Sequence, residues 1–571
     1  MAEKIISPGV FTRENDKSLV QRGIQEVGAA IVGPTVKGNP MAPTVVTSYS
    51  EYLSVFGDIF KSGSNYYEYF TSLAAKEYFN NGGNSLLVTK IISGSSYDTY
   101  ASSSVSASIN PTASFVLEST HWGDVANNAG GTEVSGALVS GSKENVRWEV
   151  TNVNTTKGTF TLVIRRGDDN ANNKNVLETF TNLSLDPAQP NYISRVVGDT
   201  KPVYNASKGL VEISGSFDGG SSYVRVKAVN NTIDSIDNNG NYKATTYSGS
   251  LPTSASGSFS GGVAATSRTG SFFEANTTAA GECQGFVAAD YADALTLLSN
   301  KDDYSFNLLL VPGATLGTGP LSSISDDVVA VCEGRGDSMA IIDTTAYGAN
   351  VSAAVSAAAA NGSSYGAAYY PWIQLFSSNL GKAVWCPPSV VMGGVFAFND
   401  QVGAEWFAPA GLNRGGIGSV LRAERRLSQT DRDTLYDVNV NPLASFPGEG
   451  VVAFGQKTLQ KKSTSLDRIN VRRLLITLKG FLGQVGRSLV FEQNTAATRN
   501  RFMSIANPYL ESVVQRQGLY AYKVVMDDSN NTPDVIDRNQ LVGQIYLQPS
   551  KTAEFIVLDF TVLPTGATFP A

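Results

Sequence analysis

From Gly28 to Ile92 the chain alternates between two hydrophobic periods. Ala29-Ala30-Ile31-Val32-Gly33 and Leu86-Leu87-Val88-Thr89-Lys90-Ile91 are short apolar runs that read as buried strands. Between them, Tyr66 to Phe79 carries apolar residues at helical spacing. It stops at Asn80-Asn81-Gly82-Gly83, where glycine supplies a left-handed cap. Past residue 94 the pattern changes. To about residue 280 the chain is rich in Ser, Gly, Asn and Thr, with short alternating runs such as Val146-Arg147-Trp148-Glu149-Val150, Phe160-Thr161-Leu162-Val163-Ile164 and Tyr223-Val224-Arg225-Val226. Turn clusters separate them, which is the pattern of an all-β module.

Helix and strand then alternate again. Helical spacing near Tyr291–Leu298, Asp326–Cys332 and Val351–Ala360 precedes strand-like runs at Phe306–Val311, Ser338–Ile342 and Ala367–Phe376. Repeated units of this kind imply an open α/β sheet. The two α/β stretches are each too small for a full sheet domain, so the simplest account joins them. The expected fold is a mixed α+β / α/β multidomain chain. Its expected parts are an N-terminal arm (1–20), an open α/β core (21–94 and 281–411), an inserted, surface-projecting β domain (95–280), a basic C-terminal α+β domain (412–553) and a C-terminal strand or arm (554–571). Total length agrees, because 571 residues exceed what one hydrophobic core organises.

Charge changes the picture in one place. The chain as a whole is at −7, which argues against general binding to nucleic acid or anionic membranes. Residues 412–525, however, hold seventeen Lys and Arg against eight Asp and Glu, a net of +9, leaving −16 on the rest. Such asymmetry suggests a face that meets an acidic partner; the alternative is a solvated helical surface with intra-chain pairs. No stretch reaches the roughly 18 apolar residues of a membrane span, and Met1 to Gly9 lacks the order of a signal peptide. The expectation is a chain made and assembled in a cytoplasm, with Cys283, Cys332 and Cys386 as reduced thiols.

Candidate chemistry is sparse. His121 is the sole histidine, in a turn-like stretch with no nucleophile-elbow pattern, and reads as a loop or surface residue. Zinc sites draw on several His or Cys ligands, so no metal site is expected. Gly415-Gly416-Ile417-Gly418 lacks dinucleotide-binding spacing. Asp168-Asp169-Asn170-Ala171-Asn172-Asn173 lacks the Gly and Glu of a calcium loop and reads as a hairpin turn. Arg335-Gly336-Asp337 falls between a helix pattern and a strand pattern, as a connecting turn would. The expectation is a non-enzyme with no catalytic residues, metal or cofactor.

Several segments resemble contractile phage tail sheath proteins. Near the N-terminus these are Ser7-Pro8-Gly9-Val10-Phe11-Thr12, then Gly33-Pro34 with Phe56-Gly57, then Phe79-Asn80-Asn81-Gly82-Gly83. The C-terminal series is more specific. It runs through Trp406-Phe407-Ala408-Pro409-Ala410-Gly411-Leu412-Asn413-Arg414-Gly415, Asn439-Val440-Asn441-Pro442, Gly448-Glu449-Gly450 to Leu459, Arg468-Ile469-Asn470-Val471-Arg472-Arg473 and Phe491-Glu492-Gln493-Asn494. Five such segments in the family's order carry the identification. Phe454-Gly455 departs from the common Trp-Gly but keeps an aromatic ring.

The resemblance implies a structural subunit of a six-start helical sheath that contracts to drive an inner tube through the host envelope. Its implied partners are copies of itself in hexameric rings, the inner tail tube protein, and the baseplate and tail terminator proteins. Its implied place is the virion tail. The arms around Val10, Phe11, Thr12 and Arg13 and around Phe555, Ile556, Val557 and Leu558 would pair with neighbours' sheets. The basic segment, through Arg472, Arg473, Arg499 and Arg501, would face the tube. Three rivals stay open at this point: a surface adhesin or depolymerase suggested by the β module, another virion component, and an enzyme built on an unrecognised carboxylate pair.

Overall fold

Strands that are apolar at every position need cover on both faces, and this requirement shapes the middle of the molecule. The computed structural model describes residues 27–554, apart from 63–64, 95–96, 109–112, 124–125, 129–132, 135, 244, 263–271, 273–282, 318–320 and 360–361. Its largest sheet has eight strands, in the order Thr44–Val46, Leu86–Lys90, Val27–Gly33, Phe306–Thr315, Met339–Asp343, Gly366–Tyr370, Val440–Phe446 and Gly450–Ala453. Inner neighbours pair in parallel, and the first and last strands are antiparallel to theirs. Leu86–Lys90, Met339–Asp343 and Gly366–Tyr370 are buried at every residue. Helix Phe70–Asn80 packs against Ser389–Val402, and Ala289–Leu298 against Ser322–Arg335, and both pairs lie on the sheet. The first pair approaches closely because Gly394 has no side chain: a Cβ there would sit 2.7 Å from the Glu77 carbonyl oxygen.

Residues between Ala101 and Phe259 build a second core. A four-stranded sheet (Val176–Ser184, Thr159–Arg166, Val146–Asn154, Ser256–Ser258) and a three-stranded sheet (Val224–Val229, Ala113–Trp122, Tyr100–Ser106) share it. Phe115 stacks on Phe160 between them, with ring centroids 5.5 Å apart. The separation from the main core is incomplete. Tyr100, Trp122 and Tyr204 belong to the main cluster, and the Lys90 ammonium donates to the Trp122 carbonyl at 3.3 Å.

Three expected boundaries move. The helix starts at Phe70 and not at Tyr66, because Asn65–Glu68 pairs with Ile59–Ser62 as a hairpin and Phe60 stacks on Tyr67 and Tyr69. The run Ala367–Phe376 is divided, and Ile373–Ser377 joins Lys382–Cys386 and Val420–Ala423 in a separate sheet. The third is the edge of the α/β core. Val440–Phe446 and Gly450–Ala453, expected in the basic domain after residue 411, complete the main sheet, with Ala368 opposite Val440. Net charge averaged over 412–525 hid these two strands. They are largely buried, whereas the helix Gln429–Asp437 before them is mostly exposed.

Beyond them, helices Ile469–Arg487 and Ala496–Gln515 and the hairpin Leu519–Val525/Gln544–Pro549 enclose a smaller core of Leu474, Leu478, Leu510, Val513 and Leu519. Trp406 enters this core from the main body, and its indole N–H donates to the Arg516 carbonyl at 3.1 Å.

Candidate assembly surface

The hairpin Leu519–Val525/Gln544–Pro549 alternates as a half-buried ribbon should. Tyr522, Val524, Ile545 and Leu547 turn toward the small core, while Tyr520 and Tyr546 are 66% and 57% exposed. A two-stranded ribbon is marginal alone. This one rests on helix Ala496–Gln515, and the Tyr522 hydroxyl donates to the Asn507 carbonyl at 3.0 Å. Among the described residues no third strand pairs with either outer edge. An open edge of this kind is a template for main-chain pairing with another strand.

A groove of about 740 Å³ runs alongside, lined by Trp406, Phe407, Arg432, Tyr436, Phe454 and Tyr520 among others, with residues 550–554 on its wall. Glu554 is held there by three donors: Arg468 Nε at 2.7 Å, Gln456 Nε2 at 2.9 Å and the Tyr436 hydroxyl at 2.9 Å. Burial and then the Glu554 carboxylate push the Tyr436 phenol well above its ordinary range. Val10, Phe11, Thr12 and Arg13, and Phe555, Ile556, Val557 and Leu558, lie outside the described residues.

The four arginines expected to face a tube are divided. Arg473 is buried and makes a bidentate pair with Asp400, both bonds 2.6 Å, with its guanidinium over the Phe396 ring. Arg472 is buried, bonds to the Ser364 hydroxyl and lies over Tyr365. Arg499 is buried and pairs with Asp528 at 2.6 Å. For these three the expectation is corrected. Their charges join the C-terminal helices to the body and to the loop after Val525, because the apolar face of each helix carries the arginine stems inward. Arg501 does stand outside, its side chain 61% exposed and 4.0 Å from Glu492.

Other marked residues also find places. His121 is a half-buried strand residue and not a loop residue, and burial together with Lys37, Lys90 and Arg225 lowers its imidazole to about 3, so it is uncharged near neutrality. Asp169 turns inward from the hairpin turn to pair with Arg147 and Arg165. Arg335-Gly336-Asp337 ends a helix, with Gly336 at φ +73° and Arg335 donating to the Leu298 and Tyr304 carbonyls and to Asp337. All three cysteines are buried free thiols. Asp343 is a buried carboxylate that caps a distant helix, accepting from Gly313 N–H at 2.9 Å, Ser389 N–H at 2.8 Å and the Ser389 hydroxyl at 2.7 Å. Among the described residues no cluster of three or more His, Cys, Asp or Glu is placed to hold a metal ion, and no helix is long and apolar enough to cross a membrane. The sequence reading missed Glu554 and Tyr436. It held Arg468 and Gln456 only within longer motif segments.

By class, this is a mixed α/β protein with a β module of its own and a two-stranded ribbon that is open on both edges among the described residues. Residues 284–459 match the phage tail sheath protein central domain, and residues 461–562 match the phage tail sheath C-terminal domain. Over these residues the chain is similar to the phage tail sheath family. It is 40% identical over 185 residues to the tail sheath proteins of Vibrio phage KVP40 and of Enterobacteria phage T4. That stretch covers 32% of this chain and 28% of each relative, so the chain spans under a third of the length of the curated relatives it matches. The crystal structure of the sheath tail protein of Listeria innocua is similar in fold, with a TM-score of 0.52 at 10% identity over 92% of this chain and 96% of that one.

Proposed function

We propose that this chain is the structural subunit of a contractile tail sheath, polymerising helically around an inner tube and driving it through a host envelope by changing its packing. The observation that carries the reading is the pair of sheath domains in sequence order, 284–459 and then 461–562. The open ribbon supports it, since strand addition by main-chain bonds links copies while each subunit body stays rigid. A contact that does not close on itself then generates a helical filament, and two packings of the same links allow contraction.

In this account the main sheet unit forms the sheath wall and the β module projects from it. The terminal arms around Phe11 and Val557 fill the ribbon edges of neighbours. The C-terminal unit turns to the tube through Lys479, Arg487 and Arg501, the cations of its two helices that stand exposed. Partners are six-start copies of the chain, the tube protein, and baseplate and terminator proteins, joined in a virion tail that assembles in the bacterial cytoplasm. Sedimentation and electron microscopy of the purified chain test this. Long hollow helical polymers or stacked rings are expected, and a chain that stays monomeric at every concentration and salt tried would refute it.

A further inference from the structure

After Pro549 the chain leaves the ribbon, and within five residues it is attached to a different part of the molecule. Ser550 N–H still closes the ribbon on the Gly518 carbonyl at 3.1 Å. Thr552 then accepts from Gln456 Nε2, and Glu554 accepts from Gln456, Arg468 and Tyr436, so that both of its carboxylate oxygens are used. The donors come from three places: helix Gln429–Asp437, the segment following strand Gly450–Ala453, and the residue that opens helix Ile469–Arg487. Arg468 also pairs with Asp467 at 3.1 Å, which holds the guanidinium in position. Side chains of Glu554 and Arg468 are 16% and 25% exposed, so the pair is screened from water on most sides.

We propose that Glu554 is a positioning residue, clamped by Arg468, Gln456 and Tyr436, that fixes where the C-terminal arm leaves the subunit and ties the arm's base to the sheet body. Two consequences follow from the geometry. Residues 550–554 run onto the body and not back along their own ribbon edge, so they leave that edge free for a strand from another copy. Force on the arm passes through Arg468 and Gln456 into the body, past the two-stranded ribbon. The motif residues Gln456 and Arg468, far apart in sequence, thereby acquire one shared task.

This inference rests on the sheath reading, and its test has an arm independent of assembly. Lys551 is exposed, and a protease needs several freely extended residues around the bond it cuts. Limited trypsin digestion of the unassembled full-length chain, followed by mass spectrometry, reads release of the peptide beyond Lys551. Charge-assisted bonds of this kind shift an equilibrium by about tenfold or more. Glu554→Ala and Arg468→Gln should each speed that cleavage about tenfold, the double variant no further, and Tyr436→Phe less, with circular dichroism unchanged. Cleavage at the wild-type rate in Glu554→Ala, or additive effects in the double variant, would overturn the clamp. Where the wild-type chain polymerises, Glu554→Ala should form no sheaths or sheaths of altered twist; sheaths of wild-type helical geometry would overturn its positioning role. A wild-type chain that never polymerises would refute the sheath reading and leave the cleavage result standing.

Discussion

Replacing Asp400 by asparagine and Arg473 by methionine, singly and together, separates a structural role for the basic segment from a surface one. The two side chains meet through paired bonds of 2.6 Å, but their surroundings differ: Arg473 is 3% exposed and Asp400 26%. Methionine keeps the stem over Phe396 and leaves a carboxylate that water can reach, so the loss is that of a charge-assisted pair, about 1.5–3 kcal/mol. Asparagine at 400 leaves a guanidinium buried without its counter-charge, which costs about 3–5 kcal/mol. The double variant should cost less than the sum, because the residues act as one unit. Hydrogen exchange of the amides in helix Ile469–Arg487, supported by urea unfolding, measures the difference. Arg473→Met at least as damaging as Asp400→Asn, or both within ~0.5 kcal/mol of wild type, would refute the buried-pair account. The same reasoning makes Arg473→Glu a folding variant. Arg501→Glu is the proper probe of a tube contact.

Gly394→Ala should destabilise by about 1–3 kcal/mol, since its Cβ would meet Glu77 backbone at 2.7 Å. Gly480→Ala, on a helix face with nothing within 4 Å, should stabilise by about 0.5–1 kcal/mol; thermal unfolding of the two compares the signs. Burial raises the Asp343 carboxyl from 3.8 to about 6 against the pull of its three hydrogen bonds. The folded chain therefore holds this proton more tightly than the unfolded one. The group's contribution to stability is greatest below pH ~4, falls by about 3 kcal/mol as pH rises to ~6, and is flat above. Asp343→Asn should remove that slope from the stability-pH profile, and an unchanged slope would contradict the assignment. Thr12→Pro should block polymerisation while Thr12→Ala leaves it nearly intact, because only proline removes a main-chain donor; sedimentation of folded variants decides.

How far the sequence could be read depended on whether neighbours in the chain were neighbours in space. Ala29 to Gly33, Leu86 to Ile91 and the helix ending at Asn80, just before the left-handed Gly82, were legible because each carries its own period or cap. Val440–Phe446 was placed in the wrong unit because its partner, Gly366–Tyr370, is some seventy residues away in sequence and the intervening charges dominate any local average. The four arginines illustrate the same limit. Lys and Arg counts locate charge in the chain but not the Asp400 or Asp528 that neutralises it. His121 looked like a loop residue because Gly123 follows it, yet its strand pairs with Tyr100–Ser106 and Val224–Val229. The clamp on Glu554 could not be read at all, since Tyr436, Gln456, Arg468 and Glu554 converge from separate elements.

In the proposed assembly, copies of this chain are joined by strands added to the ribbon Leu519–Val525/Gln544–Pro549. A cryo-electron microscopy map of the assembled polymer tests it directly. In every subunit this ribbon should be extended on both edges by strands from the terminal arms of other copies, with the arm beyond Glu554 leaving from its clamp on Arg468. A polymer in which the ribbon stays two-stranded, or is completed by the subunit's own arms, would contradict it.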